Sequence, residues 1–262
     1  MQEIAKRARK RLLQMHFEAG AGHIGGDLSA LDAMLVLHHE VMKPEDVFIL
    51  AKGHAAGALY ITLWTQGKLS DDDLKTFHKD GTVLAGHPVA GWSKDILFAT
   101  GSLGHGLPVA AGMALGYKLQ GKDTQVFCMT SDGEWQEGSN WEALAFVVSH
   151  RLTNLTILVD ENQLQGFGPT TDIAPGSTLM QKFIGFVAYP HQGDHSPIIR
   201  VNGHDHEAIK RAALQTGDTY CVRIILLRTI KGCGVSFMEN RMEWHYLSLN
   251  SEQYQIALKE LP

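Results

Sequence analysis

The sequence predicts an α/β fold: a doubly wound, mostly parallel sheet flanked by helices, in one domain spanning residues 1–262. Short apolar runs at 125–130, 155–160, 198–202 and 220–229 lack polar alternation, as strands covered on both faces do. Helical patterns over 2–19, 29–41, 54–66, 104–120 and 138–150 alternate with strand-like runs, the arrangement that builds parallel sheets. No internal repeat or low-complexity linker interrupts them, and 251–260 reads as a final helix.

In chain order, Ile4, Ala8, Leu12 and Met15 fall on one face of the first pattern. The basic opening stretch is therefore an amphipathic helix and not a targeting segment. The net charge of -5 comes with no block of like charges, which excludes nucleic acid or a membrane surface as an electrostatic partner. No run approaches the length of a membrane span. Three cysteines, Cys128, Cys221 and Cys233, form no paired spacing. Cys128 and Cys221 sit in apolar runs as small core residues, and a reducing cytoplasm fits all three.

Ligands of parallel sheets bind in loops beyond the carboxyl ends of the strands, which singles out 131–138 and 161–168. The first reads Ser-Asp-Gly-Glu-Trp-Gln-Glu-Gly: Asp132 closes a strand, Gly133 permits a tight turn, and a helix with anion-favouring amides follows. Asn162 lies 30 residues after Asp132, about one strand–helix–strand unit, so the two can be spatial neighbours. A carboxylate, a carboxamide oxygen and a nearby carbonyl make a hard-oxygen site suited to Mg2+ and a diphosphate. Asp-Gly after a strand is also an ordinary turn, and these residues alone leave both readings open.

Asp132-Gly133 followed by Asn162 resembles the thiamine-diphosphate motif that begins Gly-Asp-Gly and ends in Asn. Gly22-His23-Ile24-Gly25-Gly26, Lys52-Gly53-His54-Ala55-Ala56, Gly86-His87-Pro88, Thr100-Gly101-Ser102-Leu103-Gly104-His105-Gly106 and the run from Arg228 to Asn240, leading to Trp244-His245, narrow the likeness to transketolases. It covers nearly the whole chain, in the family's order, and is nearest to the N-terminal subunits of two-gene transketolases. The resemblance implies that Asp132, Asn162 and the Leu164 carbonyl hold Mg2+, with Ca2+ or Mn2+ as substitutes. It implies that His54, Gly101 and His245 contact thiamine diphosphate, that Gly133 lets the diphosphate sit close, and that Leu103 supports the aminopyrimidine. His23, His54, His87 and His245 match the family's active-site histidines. Imidazole suits them to moving protons in both directions near neutral pH. Glu137 matches a glutamate at the family's subunit interface, or is simply an acid favoured by a helix N-terminus.

The activating glutamate and the arginines that grip sugar phosphates belong to other domains of this family. The expectation is therefore a C-terminal subunit carrying a pyrimidine-binding domain, an α2β2 heterotetramer, an uncovered apolar docking surface, and sugar or sugar-phosphate substrates exchanging a two-carbon ketol unit. A decarboxylating or ligating enzyme acting on 2-oxoacids, and a non-catalytic cofactor-binding assembly protein, are the competing readings. Ser131 departs from the family's first glycine, with a hydroxyl expected to donate to the diphosphate. His105 replaces a glutamine, and Tyr246-Leu247 follows His245 where smaller or polar residues are usual, which puts the ordinary sugar phosphates in doubt. His38, His39, His78, His150, His191 and His195 read as surface or structural, and His204 and His206 as residues preceding a helix near Glu207. The stretch 178–197 matches the family poorly and has no reading.

Overall fold

The computed structural model describes residues 1–187, 197–215 and 222–261. Of the positions named above, 188–196 of the stretch 178–197, with His191 and His195, and Cys221 lie outside them. The elements in order are α1 (Gln2–Ala19), α2 (Ile24–Val36), β1 (Val47–Leu50), α3 (Ala56–Thr65), α4 (Asp71–Leu74), α5 (Gly106–Leu119), β2 (Val126–Ser131), α6 (Gly138–Ser149) and β3 (Leu155–Glu161). They continue with β4 (Leu164–Gln165), β5 (Gly168–Pro169), α7 (Thr170–Ile173), α8 (Leu179–Val187), β6 (Ile198–Asn202), α9 (His206–Leu214), β7 (Arg223–Arg228) and α10 (Ser251–Glu260).

Five strands form one sheet in the order β1-β2-β3-β7-β6, every pairing parallel, while β4 and β5 make a small antiparallel hairpin. Successive strand side chains point to opposite faces, and the core divides accordingly. Phe48, Leu50, Phe127, Met129, Leu158, Ile225 and Leu227 join the layer made with α1, α2, α3 and α9. Val47, Ile49, Val126, Cys128, Ile157, Val159, Ile224 and Leu226 join the other, under α5, α6 and α8. Both faces are therefore covered, which is why the strands read as continuous apolar runs. The expected face of α1 is present: Ala8, Leu12 and Met15 are buried and Ile4 packs at its margin.

Three features differ from the sequence reading. The strand β1 escaped it because four residues are too few to show a period. The helix predicted from 29 begins at Ile24, so Gly25 and Gly26 lie inside it and not in a loop. A Cβ at Gly25 would lie 3.1 Å from Trp244 and 3.2 Å from the Lys231 side chain, so the glycine serves close packing. His204 and His206 are more than residues at the start of α9. His204 Nδ1 lies 2.7 Å from Asp32 Oδ2 and His206 Nε2 lies 3.0 Å from Asp32 Oδ1, and Arg9 also pairs with Asp32. The Ile230 amide donates to His204 Nε2 at 2.9 Å, which tightens this clamp onto the segment after β7. Asp205 itself caps α9, accepting from the Ala208 amide at 3.0 Å.

Asp32 is 2% exposed and serves three cationic or donor groups from distant parts of the chain. Removing one partner of a buried ionic network strands the others. Asp32→Ala should therefore lower the unfolding free energy by about 3–5 kcal/mol. Urea denaturation measures it, and a loss below about 1 kcal/mol contradicts the clamp.

Candidate active site

The site sits at the carboxyl rim of β2, β3 and β7. Asp132 follows the last residue of β2 and turns out of the sheet into a one-turn helix over Gly133–Gln136. Its carboxylate accepts from the Gly133 amide at 2.7 Å and from the Gln163 amide at 2.5 Å. That second bond crosses to the loop after β3 and brings Asp132 beside Asn162. Gln163 has φ 64°, in the left-handed region, so this turn holds a strained residue between Asn162 and Leu164. Asn162 Oδ1 accepts from the Leu164 amide at 3.0 Å, while its Nδ2 donates to Ser29 Oγ and Asp160 Oδ2, both at 3.2 Å. The carboxamide is thereby oriented, nitrogen toward the core and oxygen toward the turn.

Asp160 was missed in the sequence. It is fully buried and accepts from Lys52, Thr229 and Ser29, the last at 2.5 Å. Burial alone would raise its pKa, but Lys52, Ser29 and Thr229 hold it below the ordinary carboxylate value. Asp132 lacks such a cation. Burial and the charge of Asp160 push it up to about 7.

Four histidines named from the sequence form one cluster on this rim. Ring centroids lie 5.7 Å apart for His23 and His54, 5.9 Å for His23 and His87, 5.1 Å for His23 and His245, and 5.3 Å for His54 and His245. Each comes from a different loop. His23 stands at the start of α2 with φ 69°, another left-handed residue at the site. His54 sits in a 3-10 turn after β1, His245 ends another such turn, and His87 lies on the loop before α5. Burial lowers the pKa of all four, with further lowering of His54 by Lys52, of His87 by His78 and of His245, to about 3, by Lys231. At neutral pH each is an uncharged imidazole with one N–H and one lone pair.

Gly101 packs against His87, since a Cβ there would lie 3.3 Å from the ring. Leu103 is half-buried in the same loop, next to Gly104. A Cβ on Gly133 would approach the Gln165 side chain at 3.1 Å, so the close neighbour at that glycine is the chain's own hairpin. Glu137 is exposed at the start of α6 with its methylenes against Gly104, apart from the histidine cluster. Besides Asp132, the buried acid of this motif is Glu134, which accepts from the Gly104 amide at 2.9 Å and the Ser131 amide at 3.3 Å and is pushed up to about 7 by burial. Ser131 Oγ accepts from the Glu134 amide at 3.3 Å, which stabilises the turn and leaves its O–H proton free to donate.

Two lysines also escaped the sequence reading. Lys52 is 0% exposed on Asp160, and Lys231 is 1% exposed with its Nζ 3.1 Å from His245 Nδ1. Burial and the nearby Lys52 push Lys231 down to about 8. His78, read as structural, lies against Gly86 beside His87, where a Cβ on the glycine would be 3.0 Å from its ring. Tyr246 packs across the hairpin: its ring is 4.8 Å from that of His245, and its hydroxyl sits so close to Gly166 that no side chain fits there. His105 is exposed at the start of α5. Among the described residues no three His, Cys, Asp or Glu side chains gather as a metal cluster, and the oxygen set at Asp132 and Asn162 is of a different kind.

Comparisons with known proteins bear on the family and the fold. The family described as transketolase, thiamine diphosphate binding domain, matches residues 2–261. An apulose-4-phosphate transketolase subunit of Actinobacillus succinogenes is 33% identical over 271 residues, covering 100% of this chain and 95% of that one. The 6-deoxy-6-sulfo-D-fructose transketolase subunit SqwG of a Clostridium species is 34% identical over 271 residues, covering 100% and 96%. Human transketolase is 32% identical over 272 residues, but the chain spans only 42% of its length. Among solved structures, transketolase from Leishmania mexicana superposes with a TM-score of 0.85 at 26% identity, covering 99% of this chain and 41% of that one. With a domain match from end to end, relatives above 30% identity over nearly their own full length, and the same parallel sheet, the chain belongs to the transketolase family of transferases, as its thiamine diphosphate-binding domain.

Proposed function

We propose that the chain is the metal- and diphosphate-binding subunit of a two-polypeptide transketolase, passing a two-carbon ketol unit from a ketose to an aldose. The observation that carries this is the convergence of Asp132 with the Asn162–Leu164 turn, bridged at 2.5 Å, on the rim that also gathers four histidines.

The residues fit a divalent cation. Asp132 is a buried carboxylate raised by burial and a neighbouring anion, an electrostatic environment that a cation relieves. Asn162 has its nitrogen tied down and its oxygen turned toward the same loop. Asp132, Asn162 and the Leu164 carbonyl would hold Mg2+, or Ca2+ or Mn2+ in its place, with water and phosphate oxygens completing the shell. His54, Gly101 and His245 would line the diphosphate, Lys231 would add positive charge, and Leu103 would support the aminopyrimidine. When bound, thiamine diphosphate supplies the carbon nucleophile and the electron sink. The chain's own task is proton traffic: His23, His87 and their neighbours would give a proton to the ketose carbonyl oxygen as it is attacked, take one from the adjacent hydroxyl as the carbon–carbon bond breaks and that oxygen becomes the aldehyde carbonyl, and reverse both transfers on the acceptor, as neutral imidazoles can. Glu137, exposed at the edge of the site, is suited to an interface with a second active site.

The partner would be a C-terminal subunit with the pyrimidine-binding domain, in an α2β2 assembly. Relatives matched along nearly their whole length are named as individual subunits of transketolases, which supports a second polypeptide. The apolar surface expected for docking has candidates in Phe167, 82% exposed on the hairpin beside the site, and Leu119, 78% exposed at the end of α5.

Four outcomes are expected. Mg2+ with thiamine diphosphate should stabilise the assembled protein by about 2.7 kcal/mol at a hundredfold excess over Kd. Asp132→Ala should remove the metal-dependent part in a thermal shift titration, whereas an unchanged shift would reassign the ligand. His87→Ala should lower kcat at least tenfold with cofactor affinity nearly intact, and equal loss of both would move His87 to cofactor binding. Because burial lowers the cluster's histidines, their neutral forms persist as pH falls to 6.5 and are lost only below it. The acid limb of the kcat profile should therefore lie below pH 6.5; a limb at or above the ordinary imidazole value would contradict neutral imidazoles as the working form.

A further inference from the structure

At the opposite, amino-terminal end of β1 a cavity of about 340 Å³ opens against the edge of the sheet, lined in part by His38, Phe48, Gln66, Lys94 and Leu97. Nothing in the transfer chemistry uses it. Its inner wall is built by an irregularity in the helix. After α2 the chain widens into a five-residue π turn, Leu37–Val41, closed by the Met42 amide donating to the Leu37 carbonyl at 2.8 Å. Such turns are rare and recur at functional sites. This one turns His38 inward, 9% exposed and edge-on to Phe48 with ring centroids 5.0 Å apart, while His39 bonds Thr65 at 2.8 Å.

Two buried polar atoms in this wall, His38 Nε2 and Gln66 Oε1, fall short of a proper hydrogen bond: the Gln66 side chain stands near the His38 ring, but neither atom meets a partner in hydrogen-bond geometry. The Gln66 amide nitrogen donates to the His38 carbonyl at 2.6 Å, which fixes that side chain with its oxygen as the unused end. Buried groups left unpaired are costly and rare, so a pair of them beside one cavity calls for a partner. Burial and the nearby Lys68 push His38 down to about 4, so it is a neutral ring with one donor and one acceptor nitrogen.

The rim is cationic. Lys43, Lys68 and Lys94 line it with Asp46 and Asp95. Lys68 is paired to Asp95 at 2.7 Å, and the Asp46 carboxylate is occupied by the amides of Lys43 at 2.8 Å and Gln125 at 2.9 Å. Lys94 has no carboxylate partner among the described residues. Lys43 has only Asp123 at 3.7 Å, with both side chains exposed. Three lysines against two carboxylates, Asp46 keeping its charge under the two amides, leave the mouth with one positive charge in excess, and Phe48, Val47 and Leu97 give the passage between mouth and wall an apolar side.

We propose that this cavity is a second ligand site, for a small hydroxylated anion. A hydroxyl at its inner end would donate to Gln66 Oε1 and accept from His38 Nε2–H, satisfying both atoms at once. The anionic group would lie between Lys94 and Lys43, and a short carbon skeleton would rest on Phe48 and Leu97. Phosphate esters of polyols and hydroxycarboxylates share this chemistry. The site is separate from the transfer site, which lies beyond the other end of the same strand, and it stands whether or not the transketolase reading does.

Isothermal titration of the full chain, without metal or thiamine diphosphate, tests it with three probes: glycerol 3-phosphate, glycerate and inorganic phosphate. Saturable binding of one or both organic anions is expected, at least fivefold tighter than inorganic phosphate. Which of the two binds distinguishes a phosphate-ester from a carboxylate ligand. Lys94→Met, on the surface, should weaken binding at least fivefold, and His38→Leu should do the same. Should His38→Leu not fold, Lys94→Met decides alone. His87→Ala and Asp132→Ala, on the other rim, should leave it unchanged. No binding by either organic anion, inorganic phosphate binding as tightly as they do, indifference to Lys94→Met, or loss on His87→Ala would each overturn the proposal.

Discussion

A carboxylate sealed from solvent, that of Asp160, ties together parts of the chain that are far apart in sequence. Lys52 comes from the end of β1, Ser29 from α2, Thr229 from the end of β7 and Asn162 from the loop two residues on. Desolvating an ion pair costs several kcal/mol per ion, and only good geometry with further hydrogen bonds offsets it. Here both carboxylate oxygens are engaged. The reward is positional: the carboxyl ends of three strands and the middle of one helix are locked together.

That lock explains the asymmetry between two neighbouring acids. Asp160 keeps its charge because Lys52 neutralises it, and Asp132, which faces the loops, is left raised by the same buried charge. The histidines add a second asymmetry. Their loops carry left-handed residues such as His23, and burial keeps the rings neutral beside two buried lysines. Strain of this kind persists only where surrounding packing over-determines it, and the Asp160 network with the packing of Trp244 on Gly25 supplies that packing.

Much of this was legible in the residues. Asp132 and Asn162 are separated by one strand–helix–strand unit, whose length is fixed by the fold, so sequence spacing became spatial proximity. The histidines could be named because each lies in a Gly- or Trp-marked loop that resembles a family motif. What sequence hid were contacts made at long range by residues usually found at surfaces. Lys52 and Lys231 are amines, ordinarily solvated, and only the fold shows them buried. His204 and His206 meet Asp32 across 172 and 174 residues, a pairing with no local signal. In the motif itself the interior acid is Glu134 and not Glu137, a difference of three residues that depends on the one-turn helix after Asp132.

Whether Asp132 and Asn162 share one divalent cation is tested most directly with crystals of the assembled protein grown with Mn2+ and thiamine diphosphate, measured at the manganese absorption edge. The predicted result is a single strong anomalous peak within about 2.0–2.3 Å of oxygen atoms from Asp132 and Asn162, as for a hard cation in an oxygen shell. A peak elsewhere, or none with Asp132 still turned onto the Gln163 amide, would contradict it.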